Sequence, residues 1–152
     1  MKPVPRTAVA RLADTIHRLE AHDADAWVAT ASSAGMPHLV PLSFAWHDER
    51  ILLATPAATP TVRNIVATGR ARLAFGDSSD VVLMDAEPEL VVDAAAAPED
   101  LTRAFRDQAG WDPRRSSGSN ALVVLHPIRI LAWNGEHEWD GRVVMDGGAW
   151  VV

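Results

Sequence analysis

The residues best suited to hold a ligand lie in one stretch, Leu53 to Ile65, LATPAATPTVRNI. It reads as the end of a strand, a loop and the start of a helix. Thr55, Thr59 and Thr61 are spread around Pro56 and Pro60, with Arg63 and Asn64 just behind. A helix start leaves backbone N–H groups without intrahelical acceptors and carries about half a positive charge, so it attracts anions. Thr59 and Thr61 would add hydroxyl donors, and Arg63 a permanent charge whose planar fork matches phosphate oxygens. A plainer account also stands: Thr59 is a good N-cap and Pro60 fits the first helical position. Taken alone, these residues favour capping over a phosphate cradle.

Other chemistry is harder to assemble. His17, His22, His38, His47, His126 and His137 are scattered, without a metal-ligand spacing. Glu136, His137, Glu138 and Asp140 alternate in a turn and read as a solvated face. The SSGSN segment lacks the spacing of a nucleophile elbow, and a strand rather than a helix follows it. No Gly-x-Gly-x-x-Gly or Walker pattern occurs. There is no cysteine, which removes thiolate nucleophiles, zinc-thiolate sites and disulfides. Trp133, Trp139 and Trp150 crowd the C-terminal fifth, either as core and interface packing or as a wall against a flat ligand.

The elements around these residues read as mainly β. Val9, Leu12, Ile16 and Leu19 recur at helical spacing, which predicts an amphipathic helix from about Arg6 to Ala21. From Ala26 the period changes to two. AWVATAS, HLVPLSFAWH and ILLAT read as three strands joined by short turns, an antiparallel meander. In the second strand Val40, Leu42, Phe44 and Trp46 share one face and Leu39, Pro41, Ser43 and Ala45 the other. Pro41 cannot donate to a ladder, so its side is an edge or faces something other than backbone. A short helix follows Thr59 and ends near Gly69. ARLAF is a fourth strand, and VVLMDAEPELVV is one long strand or two bent at Pro88. A helix around Leu101 and Phe105 precedes the loop GWDPRRSSGSN. ALVVLHPIRILAWN gives two strand runs separated at His126-Pro127, and a turn-rich hairpin ends the chain. The strands follow one another as hairpins, which favours a closed or split antiparallel barrel with helices on its rim.

The chain has 152 residues, 48% of them hydrophobic and 22% charged, which suits one domain spanning 1–152. Arg11, Asp14, Arg18 and Glu20 interrupt the N-terminal segment, so it has no signal-peptide core. No apolar run approaches membrane-spanning length. The cytoplasm is the default location. The net charge of −6 argues against nucleic acid or anionic lipid as a general partner. Lys2 is the only lysine, so an anion would have to be held by arginine.

The ordered set PHLVPLSFAW, LATP, T-P-T-V-R-N-I and GRARLAF resembles the flavin-binding split-barrel family, that of pyridoxamine 5′-phosphate oxidase and related flavin or deazaflavin oxidoreductases. The resemblance covers Asp25 to Val92 and returns in GWDPR and PIRILAW. It implies a homodimer of six-stranded antiparallel split β-barrels with FMN in a groove between subunits, acting on a small-molecule substrate. On this pattern the backbone of Leu39, Val40, Pro41, Leu42, Ser43 and Phe44 runs beside the flavin ring. Ala54, Thr55, Thr59, Pro60 and Thr61 hold its phosphate, with Arg63 and Asn64 in support. Trp133 of a second copy would form part of the facing wall. The resemblance thus turns the threonine loop from cap to cradle.

Two departures stand out. The family has lysine where this chain has Thr61, and the Arg-x-His signature of true pyridoxamine phosphate oxidases is missing from RILAWNGEHEW. The expectation is an FMN-dependent oxidoreductase other than a pyridoxamine phosphate oxidase, with no catalytic acid or base named. One rival is the same fold using the deazaflavin coenzyme F-420, whose long anionic tail would favour Arg70 or Arg72. Another is a non-catalytic ligand-binding or stress protein.

Overall fold

The computed structural model describes residues 1–151. Thr7 caps the first helix, α1 (Ala8–Leu19), by accepting from the Ala10 N–H at 3.1 Å. The strands β1 (Asp25–Ala31), β2 (Pro37–His47) and β3 (Arg50–Pro56) form the meander. Helix α2 (Pro60–Thr68) leads into β4 (Ala71–Gly76) and the long β5 (Asp80–Asp93). Helix α3 (Glu99–Ala109) precedes the equally long β6 (Asn120–Asn134). A 3-10 turn at Glu136–Glu138 and the small hairpin β7 (Val143–Asp146) and β8 (Ala149–Trp150) complete the chain.

All pairings are antiparallel, in the order β3-β2-β1-β4-β5-β6-β7-β8, and β3 also pairs with β6. That extra pairing closes six strands into a barrel. Its interior takes alternate residues of each strand: Val28, Phe44, Leu53, Leu73, Met84 and Val123 are at most 1% exposed. Phe44 and Phe75 meet edge to face inside it at 4.9 Å.

The expected break of β6 at His126-Pro127 does not occur. The register passes from Asp85↔Arg129 to Ala86↔Pro127, so Ile128 is an extra, bulged residue. A bulge is where a strand tolerates a proline's missing N–H, and here it bends the strand without ending it. β5 is likewise one strand, with an irregularity between Pro88 and Leu90.

Two further expectations change. Val9 is 70% exposed, and the buried side of α1 carries Arg11 and Thr15 as well as Leu19. The three C-terminal tryptophans do not gather. Trp133 and Trp139 meet edge to face at 5.6 Å, whereas Trp150 meets Trp46 at 6.5 Å.

The outside of the barrel has two unlike flanks. Over one, Leu101, Phe105 and Ala109 of α3 pack on Ala45, Leu52, Ala54, Leu122 and Val124. The other flank has no such cover. Register places Pro41, Trp27, Ala74, Leu83, Leu131 and Val143 in one row across β2, β1, β4, β5, β6 and β7. Trp27 is 51% exposed in this row and Leu39 beside it 59%. Beside that row runs a charged one, Arg72 paired across to Asp85 and Asp85 to Arg129.

Candidate ligand groove and its surroundings

β2 changes neighbours partway along. Pro37–Ser43 pair with β1, whereas pairing with β3 covers only Phe44–His47. The stretch from Pro37 to Ser43 therefore has a strand on one side and an open edge on the other. Pro41, opposite Trp27, lacks the N–H that a hydrogen-bonded antiparallel pair exchanges. The side chains divide as expected: Leu39 and Pro41 are exposed, Val40, Leu42 and Ser43 are half-buried, and Phe44 is in the core.

Helix α2 lies against β1 and touches β2. Val62 and Ile65 are buried, and the Asn64 amide donates to the Thr30 hydroxyl at 3.1 Å, which fixes the helix to β1. Gly69 ends it in the left-handed region at φ 68°, where a side chain would be strained. At the other end the Thr59 hydroxyl accepts from the Val62 N–H at 3.5 Å and Pro60 is at the first position. The capping account of Thr59 is therefore structural fact. It leaves the hydroxyl its own hydrogen to donate.

The remaining loop residues fall into two groups. Thr55 and Thr61 are 6% and 1% exposed, and Ala54 has its methyl under α3, so its backbone alone could meet a ligand. Arg63 is exposed, and its guanidinium donates to the Ala58 carbonyl at 3.2 Å. No carboxylate pairs with Arg63 among the described residues. Trp133 is elsewhere in the same chain: it pairs with Val81 near the end of β6, whereas Thr55 pairs with Ala121 at the strand's beginning.

One group of residues escaped the sequence. Glu138, expected in a solvated turn, is 1% exposed and surrounded by donors. It accepts from the Arg6 backbone at 2.7 Å, from Arg6 Nε and Nη2 at 3.0 and 2.7 Å, and from the Asn134 backbone at 2.8 Å. The Arg6 hydrogen bond, with these backbone N–H groups, overcomes the penalty of burial and holds the Glu138 carboxyl down at about 2. Arg11, 5% exposed, reaches across to the Gly141 carbonyl. The long separation in sequence hides this cluster. An arginine on the inner face of α1 was the only sign of it. Among the described residues no group of three or more His, Asp or Glu side chains could hold a metal. No helix there is long and apolar enough to cross a membrane.

Against this geometry, the family model described as Pyridoxamine 5′-phosphate oxidase matches residues 14–134. Solved structures share the fold at low identity. An F420 reductase is 18% identical with a TM-score of 0.61, covering 75% of this chain and 93% of that one. A putative pyridoxamine 5′-phosphate oxidase from Listeria innocua is 14% identical at TM-score 0.62, covering 82% and 98%. The heme storage protein HutZ from Vibrio cholerae is 13% identical at TM-score 0.59, covering 84% and 99%. No curated protein matches the chain.

Proposed function

This chain belongs to the pyridoxamine 5′-phosphate oxidase family, and from that premise we propose that it is an FMN-binding oxidoreductase acting on a small molecule. The observation that carries this reading is the open edge of β2 from Pro37 to Ser43, on a strand that α2 touches. A strand edge offers unpaired backbone donors and acceptors, which suit the polar rim of a flat heterocycle. The start of α2 offers amide N–H groups to a phosphate, and Thr59 a hydroxyl hydrogen. Arg63 is free to leave the Ala58 carbonyl for a phosphate oxygen, a stronger acceptor. These residues fit the phosphate end of FMN even though Thr61, buried, supplies no counterpart to the family's lysine. When bound, the flavin would supply the redox chemistry; the chain would orient it, exclude water and set the polarity around it.

On one copy the edge of β2 from Pro37 to Ser43 has a strand on one side only, and the uncovered flank supports a homodimer that completes the groove. Contiguous exposed apolar surface in a soluble protein marks an interaction site, and this row includes the half-exposed Trp27 with Leu39 beside it. Trp133 borders that flank beside Leu131, so a second copy would carry it to the facing wall. FMN is favoured over the F-420 coenzyme because Arg72, one of the two cations a long anionic tail would need, is engaged by Asp85 in a two-pronged pair at 2.6 and 3.1 Å. Arg70 is beyond the far end of α2 from Thr59, about 13 Å along a helix of nine residues.

The test is the visible absorption of the purified protein, followed by separate titrations with FMN and F-420. Flavin bands, or saturable binding of FMN in preference to F-420, support the proposal. Binding of F-420 alone would assign the groove to the deazaflavin. Binding of neither would leave a non-catalytic protein on this fold.

A further inference from the structure

A cleft of about 700 Å³ lies beyond the opposite end of α2 from the threonine loop. Its floor is made of Ala29, Ala31, Ala71, Ala86 and Ile128, from β1, β4, β5 and β6. Ala29 and Ala31 alternate with the interior Val28 and so turn their methyl groups outward to the cleft, whereas Ala71 and Ala86 share the inward parity of Leu73 and Met84 and are only 6% and 3% exposed. The rim is polar, and most of it is already engaged. The Thr30 hydroxyl accepts from Asn64, and the Thr68 hydroxyl donates to the Asn64 carbonyl at 2.8 Å. Arg72 and Asp85 hold each other, and Glu87 faces His126 at 3.8 Å.

Arg70 is the exception. It is exposed on the rim and has neither an ion pair nor a side-chain hydrogen bond among the described residues. A guanidinium has five N–H donors and no acceptor, so its complement is an anionic oxygen group. An apolar floor with a few fixed polar groups at the edge is the usual make-up of a small-molecule site. Arg72 and Asp85 of the charged row line the cleft itself, so it opens on the same outward face as the apolar row, one row along the strands from it.

We propose that this cleft is a second small-molecule site, distinct from the FMN groove, for an apolar monocarboxylate whose carboxylate pairs with Arg70 and whose hydrocarbon body covers the alanine floor. The body is either an aromatic ring or a short acyl chain, and the same floor chemistry serves both.

The probe is 8-anilinonaphthalene-1-sulfonate, an apolar anion that fluoresces when removed from water. It should bind the native protein saturably and be displaced by benzoate if the site prefers rings, or by octanoate if it prefers chains. Arg70→Glu should weaken probe binding tenfold or more, and Arg70→Lys should restore most of it. Ala29→Phe, which fills the floor, should abolish it. Urea midpoints of the variants should match the native one, which separates loss of the site from loss of the fold. Excess FMN should leave the probe in place. Probe binding indifferent to Arg70→Glu would mean attachment to the apolar flank and would overturn the proposal. So would displacement by neither carboxylate, or displacement by FMN. Each result stands whether or not the protein proves to be a flavin enzyme.

Discussion

Glu138→Gln should destabilise the protein, and the loss should depend on pH in a way that identifies its origin. The carboxylate is 1% exposed and accepts from Arg6 and from the Asn134 backbone. The substituted amide would keep the shape and one acceptor but would turn its N–H₂ toward the guanidinium. Removing one partner of a buried ion pair costs about 3–5 kcal/mol. Here Arg6 is 20% exposed and retains Asp14 at 3.0 Å, so solvent and the second carboxylate reduce the expected cost to roughly 2 kcal/mol. The Glu138 carboxyl moves from 4.5 to about 2 on folding. Because the folded value is the lower one, its contribution is fully present above about pH 4.5. It is lost as the pH falls through about 2. Urea unfolding of native and variant protein at pH 7 and at steps between 4.5 and 2 reads this directly. Every other acid is common to both proteins and cancels in the difference. The gap should be widest at pH 7 and narrow steadily through that window. A gap that is the same at both ends of the window would show that shape, not charge, makes Glu138 matter.

Three other outcomes are expected. Gly76→Ala should destabilise, because Gly76 sits at φ +87° and an added Cβ would collide with the Arg18 guanidinium and meet the Asp80 carbonyl at 2.5 Å; urea midpoints with Arg18→Ala as a second background separate the clash from the backbone strain. Leu83→Arg, a charge in the middle of the uncovered apolar row, should leave a folded monomer by light scattering, and an unchanged dimer would move the interface elsewhere. Arg63→Ala should weaken FMN binding by about 1.5–3 kcal/mol, roughly ten- to a hundredfold, without lowering the urea midpoint, since the side chain is exposed and bonds only to Ala58. Unchanged FMN affinity by titration would remove it from the phosphate site.

Much of the barrel could be read from alternation. Val40, Leu42 and Phe44 fall on one face of β2 because each strand has one side toward the interior, and Pro41 marked the side that no strand occupies. The helix at Thr59 was equally plain, since capping and a first-position proline are local effects. What escaped were features that depend on distant partners. His126-Pro127 looks like a strand break until β5 accommodates Ile128 as a bulge. Glu138 looks solvated until Arg6 and Arg11 arrive from the other end of the chain. The cleft at Arg70 is assembled from four strands and the end of α2, none of which carries a motif by itself.

The unequal covering of the barrel connects these observations. Phe105 and Leu101 bury the outer faces of β3 and the early part of β6, so that flank is complete within one chain. On the opposite flank the described residues provide no helix, yet one outward row across β1, β4, β5 and β6 is tryptophan, alanine and leucine, beside the charged row of Arg72, Asp85 and Arg129. Burying apolar surface is worth about 25 cal/mol per Å², so a row of this kind left in water forfeits stabilisation that a partner can supply. The open edge of β2 borders the same flank, because Leu39 and Pro41 belong both to that edge and to the outward face. A second copy covering the flank would therefore also roof the edge. In the proposed dimer the groove would be open in one chain for the same reason that the flank is bare: one partner would supply both the wall and the cover.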